Sequence, residues 1–450
     1  MNIFIHRKDL RIKDNTTLLS VENAVPIFIF TPEQVINNEY KSDNFVAFMC
    51  ESLEDLSNIY SENNSTLNIF LGDVIKVLSS IHKKYNINSI SYNIDYSPYA
   101  LSRDKRINTW AEKNNINIVS FEDGVLVNIL NGNSLNKTGN PYKVFTPFLK
   151  HVKSNFEVSK VSNKRPSLDK KTLTTKYSFN DLQSLYEKPN ELFVKPGYKN
   201  AIIKLNKLGD QIKYKENRDF LVYKTSNLST YINLGVLSIR QVYNKAVTKL
   251  GINSSFITEL YWRDFYINIL YYFPKVLGNN FNSKFDSYRW SNNRRNFEAW
   301  KNGLTGFPIV DAAMRQLNTT GYMHNRGRMI VSSFLVKLLF IDWREGEKYF
   351  AQKLIDYSVA SNNGGWQWSA GTGTDAQPFF RIFNPWEQGK KYDKDCIYIK
   401  KYVYELENIN SRDIHKWYEK HSDYNTSYPA PIIDYKKSRE YALEYYKNNK

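Results

Sequence analysis

The chain has 450 residues, of which 42% are hydrophobic, and a formal net charge of +17. This length exceeds what one hydrophobic core serves, so two domains are expected. The charge indicates a polyanionic partner, either a nucleic acid or an anionic membrane surface, with a merely basic soluble protein as the plain alternative. Two distant cysteines, Cys50 and Cys396, exclude a disulfide framework and a cysteine-rich zinc site and favour a reducing compartment.

Neither the N-terminus nor the most apolar stretch of the sequence has the pattern of a targeting or membrane-spanning segment. The N-terminus, MNIFIHRKDL, places its charges after an apolar start, which is the reverse of a signal peptide. The most apolar helical stretch, residues 329–340, is interrupted by Lys337 and is too short to span a bilayer. We therefore expect a cytoplasmic protein with no membrane partner, and a nuclear location stays open if the host is eukaryotic.

Short apolar runs alternate with helical patterns in the first part of the chain. The runs are rich in β-branched and aromatic residues and predict buried strands at residues 2–6, 25–30, 67–71, 89–93 and 117–121. Apolar residues at helical spacing predict helices at residues 44–59, 74–85 and 100–114. This alternation predicts a doubly wound parallel sheet. No G-x-G-x-x-G follows a strand, so ordinary dinucleotide binding lacks support.

The pattern changes twice further along the chain. Residues 126–196 are rich in Asn, Lys, Ser and Pro, as is typical of a connector, although the more apolar residues 142–148 are expected to dock onto a domain. Residues 197–450 are almost entirely helical in pattern and contain eight of the nine tryptophans. We predict an α/β domain at residues 1–125, a connector at 126–196 and an all-α domain at 197–450.

Two motifs of the helical region combine residue types that a core alone does not need. The hydroxyl-rich TSNLSTY at residues 225–231 precedes a helical run, where Ser and Thr cap free N–H groups and where phosphate also binds; capping is the commoner explanation. ELYWRDFY at residues 259–266 places four polar or aromatic residues on one helix face, namely Glu259, Trp262, Arg263 and Tyr266. Rings on a charged face indicate a lined cavity, with a solvated face as the alternative.

The stretch at residues 356–385, DYSVASNNGGWQWSAGTGTDAQPFFRIFNP, places Trp366 and Trp368 directly after two glycines. Glycine packs no side chain and loses backbone entropy on folding. Glycine beside large rings therefore favours close approach of the backbone to a flat ligand. A loop whose rings fill a core is the plain alternative.

Taken in chain order, five segments resemble the photolyase/cryptochrome family. They are TSNLSTY, ELYWRDFY, GFPIVDAAMRQLNTTGYMHNRGRM, IDWREGEKYF and ASNNGGWQWSAGTGTDAQPFFRIFNP. Within the family they are most similar to the class I cyclobutane pyrimidine dimer photolyases. The match covers nearly all of the helical region, whereas the first domain matches less closely, through HRKDLRIKDNTTL.

The resemblance implies a lyase that repairs UV-damaged DNA with light. Family members join an α/β domain to a helical domain that holds FAD, and excited, reduced, anionic FAD passes an electron to a pyrimidine dimer flipped out of single- or double-stranded DNA. We expect a monomer that needs no protein partner. The alternative of another class is a cryptochrome-type blue-light receptor, against which the repair-type pocket residues argue. A basic DNA-binding protein without catalysis would not explain the ring-bearing motifs.

The resemblance also implies the residues that hold FAD. They are Tyr214, Thr225, Ser226, Asn227, Leu228, Ser229, Arg328, Asp356, Tyr357, Ser358 and Asn362. The family pattern assigns the phosphates to the hydroxyl-rich segment, an ion pair beside the isoalloxazine to Arg328 and Asp356, and the flavin N5 to Asn362. Such groups are needed because burying an unpaired charge is costly.

A second implied set binds the damaged DNA. It comprises Glu259, Trp262, Arg263, Asn325, Arg326, Met329, Trp368, Arg381 and Lys391. Two of these are indoles that grip the flipped dimer, and Glu259 would donate to a thymine carbonyl if burial raises its pKa. Asn325 and Met329 favour cyclobutane dimers, because (6-4) photolyases carry histidines in this motif. The arginines and the lysine after residue 325 would contact DNA phosphates.

The implied catalytic set joins Glu259 and Asn325 to a three-tryptophan electron relay formed by Trp366, Trp343 and Trp290. Three positions depart from the family pattern: Ser358 replaces an acid, Tyr322 a tryptophan and Thr230 a proline. Residues 96–100, YSPYA, lack the Asn–Glu pair that binds methenyltetrahydrofolate in some members. The identity of a second, antenna chromophore therefore stays open: it is a deazaflavin, methenyltetrahydrofolate or another pigment, or none is bound.

Overall fold

A computed structural model describes residues 1–189, 191–291, 293–378 and 380–448. Its backbone divides into two compact units. Unit 1 contains Met1–Ile212, Ser226–Pro274 and Ile355–Ala360. Unit 2 contains Lys213–Thr225, Lys275–Leu354 and Ser361–Lys450. The three-segment division predicted from composition stays a prediction.

Unit 1 contains the parallel sheet that the sequence predicts. Its strands are β1 (Asn2–His6), β2 (Ala24–Phe30), β3 (Asn68–Leu71), β4 (Ser89–Ile94) and β5 (Asn117–Glu122). They are all parallel and lie in the order β3-β2-β1-β4-β5. The chain winds outward from β1 in both directions, so the fold is doubly wound and its order reverses between β1 and β4. Ligands of such sheets bind beyond the carboxyl ends of the strands at this reversal.

The α-helices in chain order are α1 (Pro32–Val35), α2 (Asp43–Glu62), α3 (Val74–Tyr85), α4 (Pro98–Lys113), α5 (Phe145–Asn155), α6 (Tyr198–Asn206), α7 (Tyr214–Asn217), α8 (Ser229–Asn233), α9 (Ile239–Leu250), α10 (Ser255–Tyr272), α11 (Arg294–Asn302), α12 (Pro308–Thr320), α13 (Asn325–Ser333), α14 (Trp343–Lys353), α15 (Val359–Ala370), α16 (Pro385–Tyr392), α17 (Ile397–Tyr402), α18 (Ser411–Ile414), α19 (Trp417–Lys420) and α20 (Tyr435–Asn448). Among the residues that the structure describes, no helix combines the length and apolarity needed to cross a membrane.

The helices of the sheet begin where side chains satisfy free N–H groups. The Asp73 carboxylate accepts hydrogen bonds from the first turn of α3, which spans the predicted residues. Ser97 caps α4 and Pro98 occupies its first position, where a fixed φ suits the helix. The helix therefore begins two residues before the predicted residue 100.

Buried aliphatic side chains hold these helices on the sheet. Ile3 and Ile27 on the central strands are completely buried and belong to one core cluster with Leu78 of α3 and Ile107 of α4. Burying a side chain of this size contributes roughly 1.5–3 kcal/mol. The period-two strands and the period-3.6 helices thus contribute apolar faces to one core.

The predicted connector contains a helix, α5, that the sequence analysis did not predict. Its first residue, Phe145, stacks on Trp262 of α10 with ring centroids 3.7 Å apart and ring planes 10° apart. The apolar residues 142–148 therefore dock onto unit 1, as expected. The helix is short and Pro147 stands in its first turn, which explains why its periodicity is hard to read from sequence.

Unit 2 is helical, as predicted for the second part of the chain. α12 lies at its centre and packs against α11, α13, α16 and α17 through Ile309, Met314 and Leu317. After α13 the helix continues as one π-helical stretch, Phe334–Leu338, against which the C-terminal α20 packs.

Candidate functional site

In unit 1 the structure brings together two predicted FAD-binding segments. Ser229 Oγ donates a hydrogen bond to Asp356 Oδ2 at 2.7 Å, and Asn233 Nδ2 donates to the Tyr357 carbonyl at 2.5 Å. Asn227 adopts a left-handed φ of 54°, which asparagine tolerates and which turns the chain ahead of α8. Residues more than 120 positions apart therefore form one polar surface with Asp356 as its charged group.

In unit 2 the predicted flavin residue Asn362 lies half-buried on α15. Its Nδ2 donates to the Glu347 carbonyl oxygen at 3.0 Å, so the protein fixes the orientation of the amide. One turn further, a Cβ built on Gly365 meets no described atom within 4 Å. Arg328 on α13 donates from Nε to the Met323 carbonyl at 2.8 Å. The pairing of Arg328 with Asp356 joins residues of different units and stays a prediction.

Two of the three tryptophans predicted to form an electron relay lie against opposite ends of one segment of unit 2, residues 340–346. The half-buried Trp290 ring lies 5.3 Å from the Phe340 ring, centroid to centroid. At the other end, Gly346 lies so close to Trp366 that an added Cβ would come within 2.2 Å of the indole. A close approach of this kind requires glycine, because any larger residue would displace the ring.

The third relay tryptophan lies within that segment. Trp343 begins α14, is completely buried and donates from its indole Nε1 to Asn280 Oδ1 at 3.0 Å. Along the segment the order is therefore Trp290, Trp343 and Trp366, from a half-buried indole to two buried ones. The structure thus brings the three predicted indoles to one short stretch of chain.

The predicted dimer-binding residues belong to both units. On α10 of unit 1, Glu259, Trp262 and Tyr266 form a half-buried stripe on a helix whose other faces are buried, as the predicted shared face requires. Phe145 covers one face of the Trp262 indole. In unit 2, Asn325 opens α13 and its Nδ2 lies 3.7 Å from Met329 Sδ one turn later. The half-buried Trp368 lies on α15.

The predicted basic contacts differ in accessibility. Arg381 and Lys391 are exposed. Arg326 is only 11% exposed, and its Nη2 lies 2.8 Å from Asp219 Oδ2. Arg263 donates from Nη1 to the Gly124 carbonyl at 2.6 Å, so the structure places it beside the end of β5 rather than at the surface.

A cavity in unit 1 lies at the carboxyl ends of β1, β4 and β5. It is lined by cations and carboxylates together with apolar side chains of α10, including Arg7, Lys8, Arg11, Asp95, Arg263 and Ile267. The buried Nε atoms of Arg7 and Arg11 have no hydrogen-bond partner among the described residues. The sequence analysis missed this cavity, although two arginines in the turn after the first strand, HRKDLR, were a signal for it.

Two residues of α14 were also missed, although their motif was recognised. Gly346 makes room for Trp366, and Glu347 contacts both Asn362 and Asn363. The sequence signal for Glu347 was an acid at helical spacing from Trp343 and Phe350, which are both buried.

Comparisons with known proteins identify the family and support the fold. Residues 2–167 match the family model described as DNA photolyase, and residues 256–448 match the FAD binding domain of DNA photolyase. The chain belongs to the photolyase/cryptochrome family. The deoxyribodipyrimidine photo-lyase of Buchnera aphidicola subsp. Acyrthosiphon pisum is 37% identical, over 99% of this chain and 96% of that relative.

Solved photolyase structures share the fold over the whole chain. The archaeal photolyase from Sulfolobus tokodaii, crystallised with two FAD molecules, is 38% identical with a TM-score of 0.89 and full coverage of both chains. A bacterial class III photolyase from Agrobacterium tumefaciens is 33% identical with a TM-score of 0.92, covering 100% of this chain and 97% of that one. The photolyase family is therefore established, and because a class III photolyase is among the similar structures, class I membership stays a prediction.

The receptor branch of the family is a more distant match. The Synechocystis sp. PCC6803 cryptochrome is 26% identical with a TM-score of 0.90, covering 99% of this chain and 98% of that one. The fold alone therefore does not separate repair from light sensing, whereas sequence identity is higher for the photolyases.

Proposed function

We propose that this chain is a deoxyribodipyrimidine photo-lyase that repairs cyclobutane pyrimidine dimers in UV-damaged DNA, with class I as its subclass. The observation that carries the proposal of repair is the 37% identity to a deoxyribodipyrimidine photo-lyase over 99% of this chain. The segment at residues 340–347, which contains or contacts the three predicted relay tryptophans and Asn362, supports a light-driven flavin protein. If these residues only stabilised the fold, there would be no reason for α14 and α15 to combine a fixed amide at Asn362, an open backbone at Gly365 and the buried indoles of Trp343 and Trp366. A cytoplasmic, monomeric protein is part of this proposal.

The residues present fit FAD, the cofactor named in the family model. A flat ring needs an approachable backbone and polar groups fixed in advance, and α15 supplies both through Gly365 and Asn362. Ser229 and the residues before it offer hydroxyl and amide groups for phosphate, and Asp356 is held in place by Ser229. When bound, FAD in its reduced form supplies the light-excited electron.

The chain's own residues would bind and polarise the lesion. Phe145 covers one face of the Trp262 indole and the Tyr266 ring lies 5.6 Å from it, centroid to centroid, so neighbouring rings hold the half-buried indole that would stack on a flipped base. Stacking on an indole contributes roughly 1–3 kcal/mol per base. Glu259 lies one turn away on the same half-buried stripe and, in its protonated form, would donate to a carbonyl of the dimer. Asn325 would position the second base by its amide.

The experiment that tests the proposal compares two lesions. Purified protein with chemically reduced FAD is illuminated with oligonucleotides that carry either a cyclobutane dimer or a (6-4) photoproduct at one site. We expect splitting of the cyclobutane dimer alone. Splitting of the (6-4) lesion alone would contradict the assignment of Asn325 and Met329, and FAD without any repair would support the cryptochrome alternative.

A second candidate ligand site is supported by the cavity of unit 1. We propose that it holds an anionic antenna chromophore of the flavin or deazaflavin class, because Arg7 and Arg11 line it and their buried Nε atoms have no hydrogen-bond partner among the described residues. Buried donors without partners are costly, and an anionic ring or phosphate would satisfy them.

This second site is tested by titrating the protein with FAD or a deazaflavin. The number of chromophores bound per chain should exceed one, and Ile267→Phe should restore a ratio of one. A ratio that stays at one in the wild type would contradict the assignment.

A further inference from the structure

Helix α14 carries a buried carboxylic acid that the roles described above do not use. Glu347 is 4% exposed, and its Oε1 accepts a hydrogen bond from Asn363 Nδ2 at 3.0 Å. A buried carboxylate with one amide donor is poorly compensated, so burial favours the neutral form. Burial accordingly raises the pKa of Glu347 to about 7, against the hydrogen bond from Asn363.

The charges that act on this carboxyl come from its own helix. Arg344 lowers the pKa of Glu347 and Asp342 raises it, and both lie at the start of α14. The neighbouring groups are uncharged: α15 contributes the Asn363 amide that donates to the carboxyl, and the backbone of residues 276–281 binds the amides of α15 in turn. The two charges oppose one another, so burial decides the protonation state.

The surrounding hydrogen bonds keep the carboxyl in place. Asn363 Oδ1 accepts from Gln367 Nε2 at 3.0 Å, and Gln367 Oε1 accepts from the Phe281 backbone N–H at 2.8 Å. Asn363 Nδ2 also donates to the Val276 carbonyl at 3.1 Å. A network with this many fixed members leaves Glu347 little freedom to turn towards water when it ionises.

Glu347 is also linked directly to the predicted flavin residue. Asn362 donates to the backbone carbonyl of Glu347, and Asn363 donates to its side chain, so two adjacent asparagines of α15 dock on one residue of α14. The amide that the proposed function assigns to the flavin N5 is therefore one hydrogen bond from the residue that holds the proton.

We propose that Glu347 is a positioning residue that stores a proton beside the flavin site and makes the reduction equilibrium of bound FAD depend on pH. This inference rests on the proposed function, since it takes Asn362 to be a flavin contact. Reduction adds negative charge to the site, and an ionised Glu347 opposes that charge through a poorly screening interior. A neutral Glu347 does not. By linkage, electron entry from the relay or from a chemical reductant is accompanied by proton uptake from water onto Glu347.

The sign of the effect follows from this coupling. Below pH 6 Glu347 is neutral, and its replacement by glutamine changes no charge. As the pH rises through 7, wild-type Glu347 ionises and FAD becomes harder to reduce, whereas Glu347→Gln stays neutral. The difference between the two proteins therefore grows with pH, and subtraction removes the proton uptake of the flavin itself.

The test is a redox titration of the FAD-loaded protein between pH 6 and 9. At one applied potential, the reduced-to-oxidised ratio should agree at pH 6 in the wild type and in Glu347→Gln. By pH 8.5 it should be about tenfold lower in the wild type, which corresponds to a coupling of one pKa unit. Glu347→Asp should retain the dependence. Glu345→Gln is the matched control, because Glu345 lies on the same helix, is 41% exposed and pairs with Arg294; it should follow the wild type.

A second readout needs no cofactor. The infrared band of a neutral carboxylic acid should disappear from the apoprotein as the pH rises through 7, and Glu347→Gln should lack that band. A difference in redox ratio that does not change with pH, or the absence of a band that titrates near 7, would overturn the inference. If the band titrates but the protein retains no FAD, the proposed function fails and the link to FAD fails with it.

Discussion

At the scale of single residues, the surroundings of a side chain decide its role more than its type does. The sequence contains an unremarkable pair, Gly346 and Glu347, in a motif that is otherwise recognised by its tryptophan. Only the structure shows that Gly346 makes room for Trp366 and that Glu347 accepts hydrogen bonds from two adjacent asparagines. The hydrogen bond from Ser229 to Asp356 likewise joins residues 127 positions apart, which no local spacing predicts.

Substitution of Glu259 tests its role at the lesion. Glu259→Ala removes the donor, whereas a glutamine amide would still donate to a carbonyl, so we expect about tenfold fewer dimers split per absorbed photon, the equivalent of one hydrogen bond of about 1.4 kcal/mol. The ratio of FAD to protein should not change. Repair yield and bound FAD are measured together, with the exposed Glu298→Ala on α11 as the control. Loss of FAD in Glu259→Ala would refute a role confined to the lesion.

At the scale of secondary structure, the pair of α14 and α15 organises the predicted electron relay. The sequence predicts the second part of the chain as almost entirely helical, but its glycines suggest a loop around Trp366 and Trp368; the structure corrects this, because Val359–Ala370 form the helix α15. The sequence also does not predict that Trp290 and Trp366 lie against the two ends of residues 340–346, since that depends on one close approach at Gly346 and one ring contact at Phe340. Helix α5 was missed for the opposite reason, because its local pattern is weak and its docking on Trp262 stabilises it.

Substitution of Gly346 tests the packing of this pair. Gly346→Ala forces the Trp366 ring to move, and overpacking of this kind costs about 1–3 kcal/mol. We expect a lower free energy of unfolding, measured by denaturant, and slower light-driven reduction of oxidised FAD. Gly209→Ala is the control, because a Cβ there meets no described atom within 4 Å. Equal behaviour of Gly346→Ala and the wild type in both measurements would contradict the packing account.

Substitution of Trp343 separates the relay from repair. Trp343→Phe keeps a ring but replaces the indole, which is the oxidisable group, so light should no longer reduce oxidised FAD. Repair should be near normal once FAD is reduced chemically, because the predicted relay passes electrons to oxidised FAD and not to the lesion. Trp417→Phe, another completely buried tryptophan of unit 2, should lose packing but retain photoreduction. Normal photoreduction in Trp343→Phe would remove Trp343 from the relay.

At the scale of the whole molecule, the sequence is most informative where patterns are long. The alternation of strands and helices predicts the doubly wound sheet. Seven of the predicted strand and helix ends shift by one or two residues in the structure, and one, the end of α2, shifts by three. The surroundings of the predicted site residues are less predictable, because their contacts within each unit depend on tertiary packing. The cavity of unit 1 is such a case: its lining comes from three strand ends, α10 and residues 358–360.

The net charge of +17 leads to a prediction about DNA binding. Each phosphate contact contributes about −0.9 to the slope of log affinity against log salt concentration. Arg381→Ala should weaken binding to damaged and undamaged DNA alike and make this slope shallower by about one. Lys83→Ala removes an exposed lysine from α3 of unit 1 and should leave the slope unchanged. An unchanged slope in Arg381→Ala would remove Arg381 from the DNA contacts.

The central claim, light-driven repair, is tested most directly by counting intact dimers. An oligonucleotide with one thymine dimer is mixed with the FAD-reduced protein, and halves of the sample are kept in blue light or in the dark. The account predicts that the dimer returns to two thymines in the light and persists in the dark. A dimer that persists under light, in protein that retains reduced FAD, would contradict it.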